Sequence, residues 1–147
     1  MNPKAVAVLG LTLLGMAGGA AVLLRSWPII NVVETGQTPE YPDVIPRMYQ
    51  ARGEQVFDAA LHAVNRLPRW SLVGRSEDQG EIRAEATTRV LRFVDDVDIQ
   101  IAERAQGTIV HVRSASRVGR GDFGQNARNI RVFFQELDSQ MGKRSTH

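Results

Sequence analysis

The chain has no cysteine, which removes disulfides, thiolate nucleophiles and sulfur-ligated zinc together. Stability must therefore come from packing, on either side of a bacterial membrane. An excess of one charge is missing too: 18 Lys and Arg face 16 Asp and Glu, a formal net charge of +2. This is not the dense basic stripe of a nucleic-acid binder, so no nucleic-acid partner is expected. Catalytic signatures are also lacking. There is no G-x-S-x-G elbow, and His62, His111 and His147 have no carboxylate at a diagnostic spacing. Neither the P-loop nor the dinucleotide-binding glycine order occurs, and there is no internal repeat. No enzymatic activity and no cofactor are expected. What is present is 147 residues, 43% of them hydrophobic, enough for the core of one domain.

The one long apolar run is AVAVLGLTLLGMAGGAAVLL, Ala5 to Leu24. Its uncharged length as a helix is about 30 Å, the thickness of a bilayer's hydrocarbon core. Lys4 precedes it, and Arg25, Ser26 and Trp27 close it with a cation and an interfacial ring. The competing reading is a cleaved signal peptide ending near the small residues Ala17 to Ala21, against which the run is longer than the roughly 7 to 15 apolar residues such a peptide uses. Gly15 and Gly19 form a G-x-x-x-G pair that suits close helix packing, or reflect ordinary spanning-helix composition. Lys4 and the amino terminus on one side, facing Arg25 and then Glu34, Glu40 and Asp43 on the other, lean to an N-terminus inside the cytoplasm, with the bulk of the chain in a periplasm or lumen.

After this anchor (residues 1–27), residues 28–50 hold four prolines and read as an extended tether whose Tyr41, Val44, Ile45 and Tyr49 can strap onto the following domain. The domain is expected over residues 51–141. Val56, Phe57, Ala60, Leu61, Val64 and Leu67 recur at helical spacing between Ala51 and Leu67, and Pro68 stops that helix. Four strand-like segments follow: Trp70–Arg75, Glu81–Arg89, Arg92–Glu103 and Thr108–Ser116. The links EDQGE and RAQGT punctuate hairpins, whereas the middle turn has no Gly or Pro. From Asp122 to Met141, Phe123, Ala127, Ile130, Phe134, Leu137 and Met141 mark a second amphipathic helix, leaving residues 142–147 as a frayed tail. The expected fold is α+β: one N-terminal transmembrane helix, then a two-layer sandwich of a four-stranded antiparallel sheet and two helices, in the order α-β-β-β-β-α.

In the third strand, alternation puts Phe93, Asp95, Val97, Ile99 and Ile101 on the core face and Asp96, Asp98 and Gln100 on the other. A core-facing Asp95 needs partners. Ser114 and Ser116 share its face on the fourth strand, and Arg113 and Arg117 can pair with Asp96 or Asp98 across the sheet. Carboxylates on opposite faces of a strand cannot share one ion, so no metal site is expected. The stretch RSASRVGRGDFGQN, Arg113 to Asn126, then turns from strand to helix. A glycine-bearing turn entering a helix N-terminus suits an anion, but Asp122 can cap those same N–H groups itself. Asp95, Asp96 and Asp122 thus read as a structural polar network. Arg113, Ser114, Ser116, Arg117, Gly119, Gly121, Gly124 and Asn126 are the candidate anion site, and the joint is the leading reading of the corner.

RFVDDVDI followed by VRSASRVGRGDFGQNARNI resembles the bacterial and plastid domain-of-unknown-function family 1499. That family carries a Phe-x-Asp-Asp strand, an Arg-Ser-x-Ser-Arg-x-Gly corner and an Asp-x-Gly-x-Asn helix start. Phe93, Asp95 and Asp96 match the first motif; Arg113, Ser114, Ser116, Arg117, Gly119, Asp122, Gly124 and Asn126 match the others, within a resemblance spanning Ala51 to Asp138. It implies one compact domain, often membrane-associated, and no activity, catalytic residue or cofactor. The expected function is a non-catalytic accessory or structural subunit in a bacterial inner membrane, its domain on the periplasmic side. Its partners would be the bilayer and integral membrane subunits of a larger complex, for example a respiratory or photosynthetic one. The alternatives are a module binding a phosphate, a lipid head group or a carboxylate at the corner, and an enzyme built on Asp95 and Asp96, which lacks the partners acid–base work needs.

Overall fold

Period-2 alternation from Asp95 onward and again from Thr108 gives two long strands with one buried face each, and the computed structural model, which describes residues 29–144, builds its sheet around them. The elements are β1 (Val32–Glu34), β2 (Arg47–Tyr49), α1 (Gly53–Arg66), β3 (Trp70–Ser76), β4 (Glu81–Thr87), β5 (Val94–Arg104), β6 (Gly107–Ser116) and α2 (Gln125–Arg144). β3 to β6 form an antiparallel meander. The middle turn closes without glycine: Thr88 and Phe93 exchange hydrogen bonds of 2.8 Å through the Thr88 N–H and hydroxyl, and Arg92 takes the left-handed conformation at φ 57°.

The expected four-stranded sheet is corrected to six strands, in the order β-β-α-β-β-β-β-α. A four-stranded meander would leave the outer edge of β6 with a row of unpaired backbone groups. Two short antiparallel strands cover it: β1 opposite Arg113 to Ala115 and β2 opposite Thr108 to Val110. Both come from the stretch expected as a tether. Pro39, Pro42 and Pro46 fall in the excursion between the two strands, where no ladder hydrogen bond is lost. Thr35 bridges the gap, donating its N–H to the Val112 carbonyl (3.0 Å) and accepting the Val112 N–H on its hydroxyl (3.1 Å). The transmembrane part of the same expectation, Ala5–Leu24 with Gly15 and Gly19, lies outside the described residues. Among the described residues no helix is long and apolar enough to cross a membrane.

Both helices pack on one face of the sheet. α1 begins where the Glu103 carboxylate, at the end of β5, accepts the Gly53 N–H at 2.6 Å. It ends because Leu67, ahead of Pro68, is held in the extended region at φ −70°, ψ 128°. Its apolar stripe meets that of α2 over Ile82, Val97, Ile99, Val110 and Val112, all buried. Phe133 is fully buried and stacks on Trp70 with ring centroids 6.2 Å apart. The excursion between β1 and β2 is strapped to α2 by Arg131, which grips Asp43 with two bonds of 2.8 and 2.9 Å. That guanidinium holds the Asp43 carboxyl below its ordinary pKa. β2 is fixed to the same helix, since Arg47 and the Tyr49 hydroxyl both donate to Asp138.

Candidate functional site

Asp95 stands opposite Ser116 in the β5–β6 register, and Val97 opposite Ser114. Their side chains share the helix-covered face, where Asp95 is 1% exposed. A carboxylate so placed needs donors. Asn129, on α2, supplies one at 2.8 Å and also donates to the Ser114 hydroxyl at 3.2 Å; Ser116 hydrogen-bonds the same carboxylate. Burial raises the Asp95 pKa above its ordinary value. The bonds from Asn129 and Ser116 work against that rise, and the nearby charges of Asp122 and Asp96 add to it.

Asn126 lies one helical turn before Asn129 and completes the network. Its carbonyl accepts the Ser114 hydroxyl at 2.6 Å, and its amide donates to the Ser116 hydroxyl at 2.8 Å and to the Asn31 carbonyl at 3.0 Å. Asn31 in turn accepts the Ser116 N–H at 2.8 Å and donates its side-chain amide to the Gly119 carbonyl at 3.0 Å. The polar core of the corner thus joins three pieces of chain: the entry to β1, the end of β6 and the start of α2.

The turn into α2 is equally closed. The Asp122 carboxylate accepts the Gly124 N–H at 2.9 Å and the Asn126 N–H at 2.8 Å, the groups that an external anion would use. Between Asp122 and Gln125 the chain passes through two left-handed residues, Phe123 at φ 50° and Gly124 at φ 75°. Glycine meets that demand without strain, whereas phenylalanine does not.

The expected anion site is divided by the sheet. Ser114, Ser116 and Asn126 are on the helix-covered face, whereas Arg113 and Arg117 project from the open face. There Arg117 donates to Asp96 at 2.6 to 3.1 Å and to Glu85, and Arg113 reaches Asp98 at 3.5 Å. Arg117 holds the Asp96 carboxyl below its ordinary pKa. One row across this face alternates in sign, Arg83, Asp98, Arg113 and Glu34 standing in register on successive strands. Gly119 and Gly121 lie in the exposed connection and Gly124 in the buried turn. Asp96 and Asp98 are each engaged by an arginine. Among the described residues no group of three His, Cys, Asp or Glu stands close enough to hold a metal ion.

The sequence patterns single out neither Asn129 nor Asn31. A signal for Asn129 exists, because Asn126 and Asn129 are three apart and immediately precede the apolar Ala127 and Ile130. Asn31 gives no local sign, since its role depends on β1 reaching β6.

No curated protein matches the chain. Among solved structures it is similar to TTHA0849 from Thermus thermophilus, with 12% identity over 78% of this chain and 99% of that one and a TM-score of 0.42. It is also similar to protein CV1439 from Chromobacterium violaceum, with 12% identity over 75% of this chain and 94% of that one and a TM-score of 0.36. Both likenesses are distant, but the family is not in question: residues 25–137 match the model described as "Protein of unknown function (DUF1499)", and the chain belongs to that family.

Proposed function

We propose that this chain is a membrane-held, non-catalytic accessory subunit whose folded domain docks on a larger membrane protein assembly. The observation that carries the reading is the closed corner. Asp95, the one buried carboxylate among the described residues, is 1% exposed and bonded to Asn129 and Ser116. The Asp122 carboxylate takes up the Gly124 and Asn126 N–H groups where the chain enters α2. The densest polar constellation in the sequence therefore serves the fold and leaves its surfaces to act by contact. The bilayer attachment is supported by the sequence, where Ala5–Leu24 is followed after four residues by Ile29. The alternative, an anion-binding corner, would require Arg113 and Arg117 to act with side chains on the other face of the sheet.

The test is purification from native membranes in gentle detergent through a C-terminal tag, with mass spectrometry of what stays bound. The proposal predicts a stoichiometric set of integral membrane subunits. A lone, monodisperse chain would contradict it.

A further inference from the structure

At one end of the sheet three segments meet. Residues 29–31 touch the β6–α2 connection, with the Asp122 N–H donating to the Ile30 carbonyl at 3.1 Å. The start of β5, where the β4–β5 loop ends, is tied to the same connection by the Arg117 N–H on the Val94 carbonyl at 3.2 Å. This end carries Ile29, Val90, Leu91, Phe93, Val118 and Phe123, which are 43 to 84% exposed. They are six of the twelve exposed large hydrophobic side chains among the described residues, and such clustering marks an interaction surface and not ordinary scatter. Phe123 keeps a left-handed backbone there at φ 50°. That conformation is costly for a bulky side chain and persists where the surroundings or a function hold it.

The same end is basic. Arg89, Arg92 and Arg120 are exposed beside the apolar side chains. A cavity of about 310 Å³ next to the β4–β5 loop is lined by Arg69, Arg89 and Arg128 and by no carboxylate. At the opposite end Glu54, Glu77, Asp78 and Glu103 line one recess. Apolar side chains with aromatic rings, ringed by arginines, suit the interface of an anionic bilayer.

Ile29 is also where the N-terminal sequence joins the domain. Because the stretch expected as a tether is folded into the sheet, only Arg25 to Pro28 separate Leu24 from Ile29. Fully extended, that gap spans at most about 18 Å, so a domain held by Ala5–Leu24 keeps this end close to the head groups.

We infer that this end, formed by the β4–β5 loop, the β6–α2 connection and Ile29, seats on an anionic lipid surface. Leu91 and Phe123 enter the interface, and Arg89, Arg92 and Arg120 meet the head groups. The inference rests on the reading that Ala5–Leu24 holds the chain in a bilayer.

The absence of cysteine allows clean single-site labelling of the full chain. Leu91→Cys and Phe123→Cys, with Asp78→Cys at the opposite end as the control, would carry an environment-sensitive fluorophore. The chains would be reconstituted in phosphatidylcholine vesicles with and without phosphatidylglycerol, with a nitroxide quencher high on the lipid chains. The labels at 91 and 123 are expected to shift to the blue and lose intensity to the quencher, more so with phosphatidylglycerol, while the label at 78 does neither. Arg89→Glu with Arg92→Glu should remove the phosphatidylglycerol dependence. A chain that floats with the vesicles while all three labels report water would overturn the docking surface alone. A blue shift without lipid quenching would overturn it by giving the face to a protein. A chain that does not float would overturn the bilayer attachment and the surface with it.

Discussion

Asp95 is held where a charge is least welcome, and its pKa is raised by burial although two side chains donate to it. The sign of the consequence follows from proton binding. Above its ordinary value of 3.8, the folded protein keeps a proton on Asp95 that the unfolded chain has lost. Stability from this group is fully present below that value and falls as pH rises through the window above it. Asp96 and Asp43 act oppositely, because arginines lower their pKa, and their contribution is lost as pH falls below 3.8. Replacing Asp95 by Asn deletes only the first effect. The stability of Asp95→Asn relative to wild type should therefore rise with pH through the window above 3.8, as read from urea midpoints across a pH series. A difference that is flat or falls with pH would contradict this account of the residue. The need for partners at Asp95 was legible from strand alternation, and Ser116 from the register of one hairpin. Asn129 and Asn126 reach Asp95 and the serines from a helix, and no local pattern states which helix face covers which end of a strand.

Elements that carry a period were readable, and those too short to carry one were not. The alternation of Asp95, Val97, Ile99 and Ile101 continues as the buried side of β5, and Ala127, Ile130, Phe134 and Leu137 of the expected stripe are buried on α2, with Met141 partly so, whereas Phe123, expected to open that stripe, is 58% exposed ahead of the helix. β1 and β2 have three residues each, fewer than an alternating pattern needs, and the prolines between them hid their role as the partners of β6. Phe93, expected on the core face, is 43% exposed because it closes the loop before β5 begins. The glycine links fix the other hairpins. At Gly80, φ is 66° and an added Cβ would stand far inside van der Waals contact with the Ile101 carbonyl oxygen. That contact belongs to backbone that cannot rotate away. Gly80→Ala should cost at least about 2 kcal/mol, measured by urea unfolding. Gly142, with nothing within 4 Å of an added Cβ, should accept alanine with a gain of about 0.5 kcal/mol. Equal effects at the two sites would refute the close approach at Gly80.

Across the described residues, the corner joins the entry to β1, the β5–β6 hairpin and α2, so it couples the β1 edge of the sheet to the helical layer. Arginines and exposed apolar side chains gather at one end of the domain, and a recess at the other is lined by four carboxylates, a grouping that composition alone, with a net charge of +2, conceals. On this reading the polar residues of the corner hold these pieces together and bind no ligand. Equilibrium urea unfolding of the full chain in mild detergent, with and without inorganic phosphate, tests it most directly in wild type, Asn129→Ala and Arg117→Ala. Asn129→Ala should lose about 2 to 3 kcal/mol, because Asp95 is left buried with a donor missing, and phosphate should change none of the three curves. Stabilisation of the wild type by phosphate that disappears in Arg117→Ala, with little loss in that variant when phosphate is absent, would contradict it.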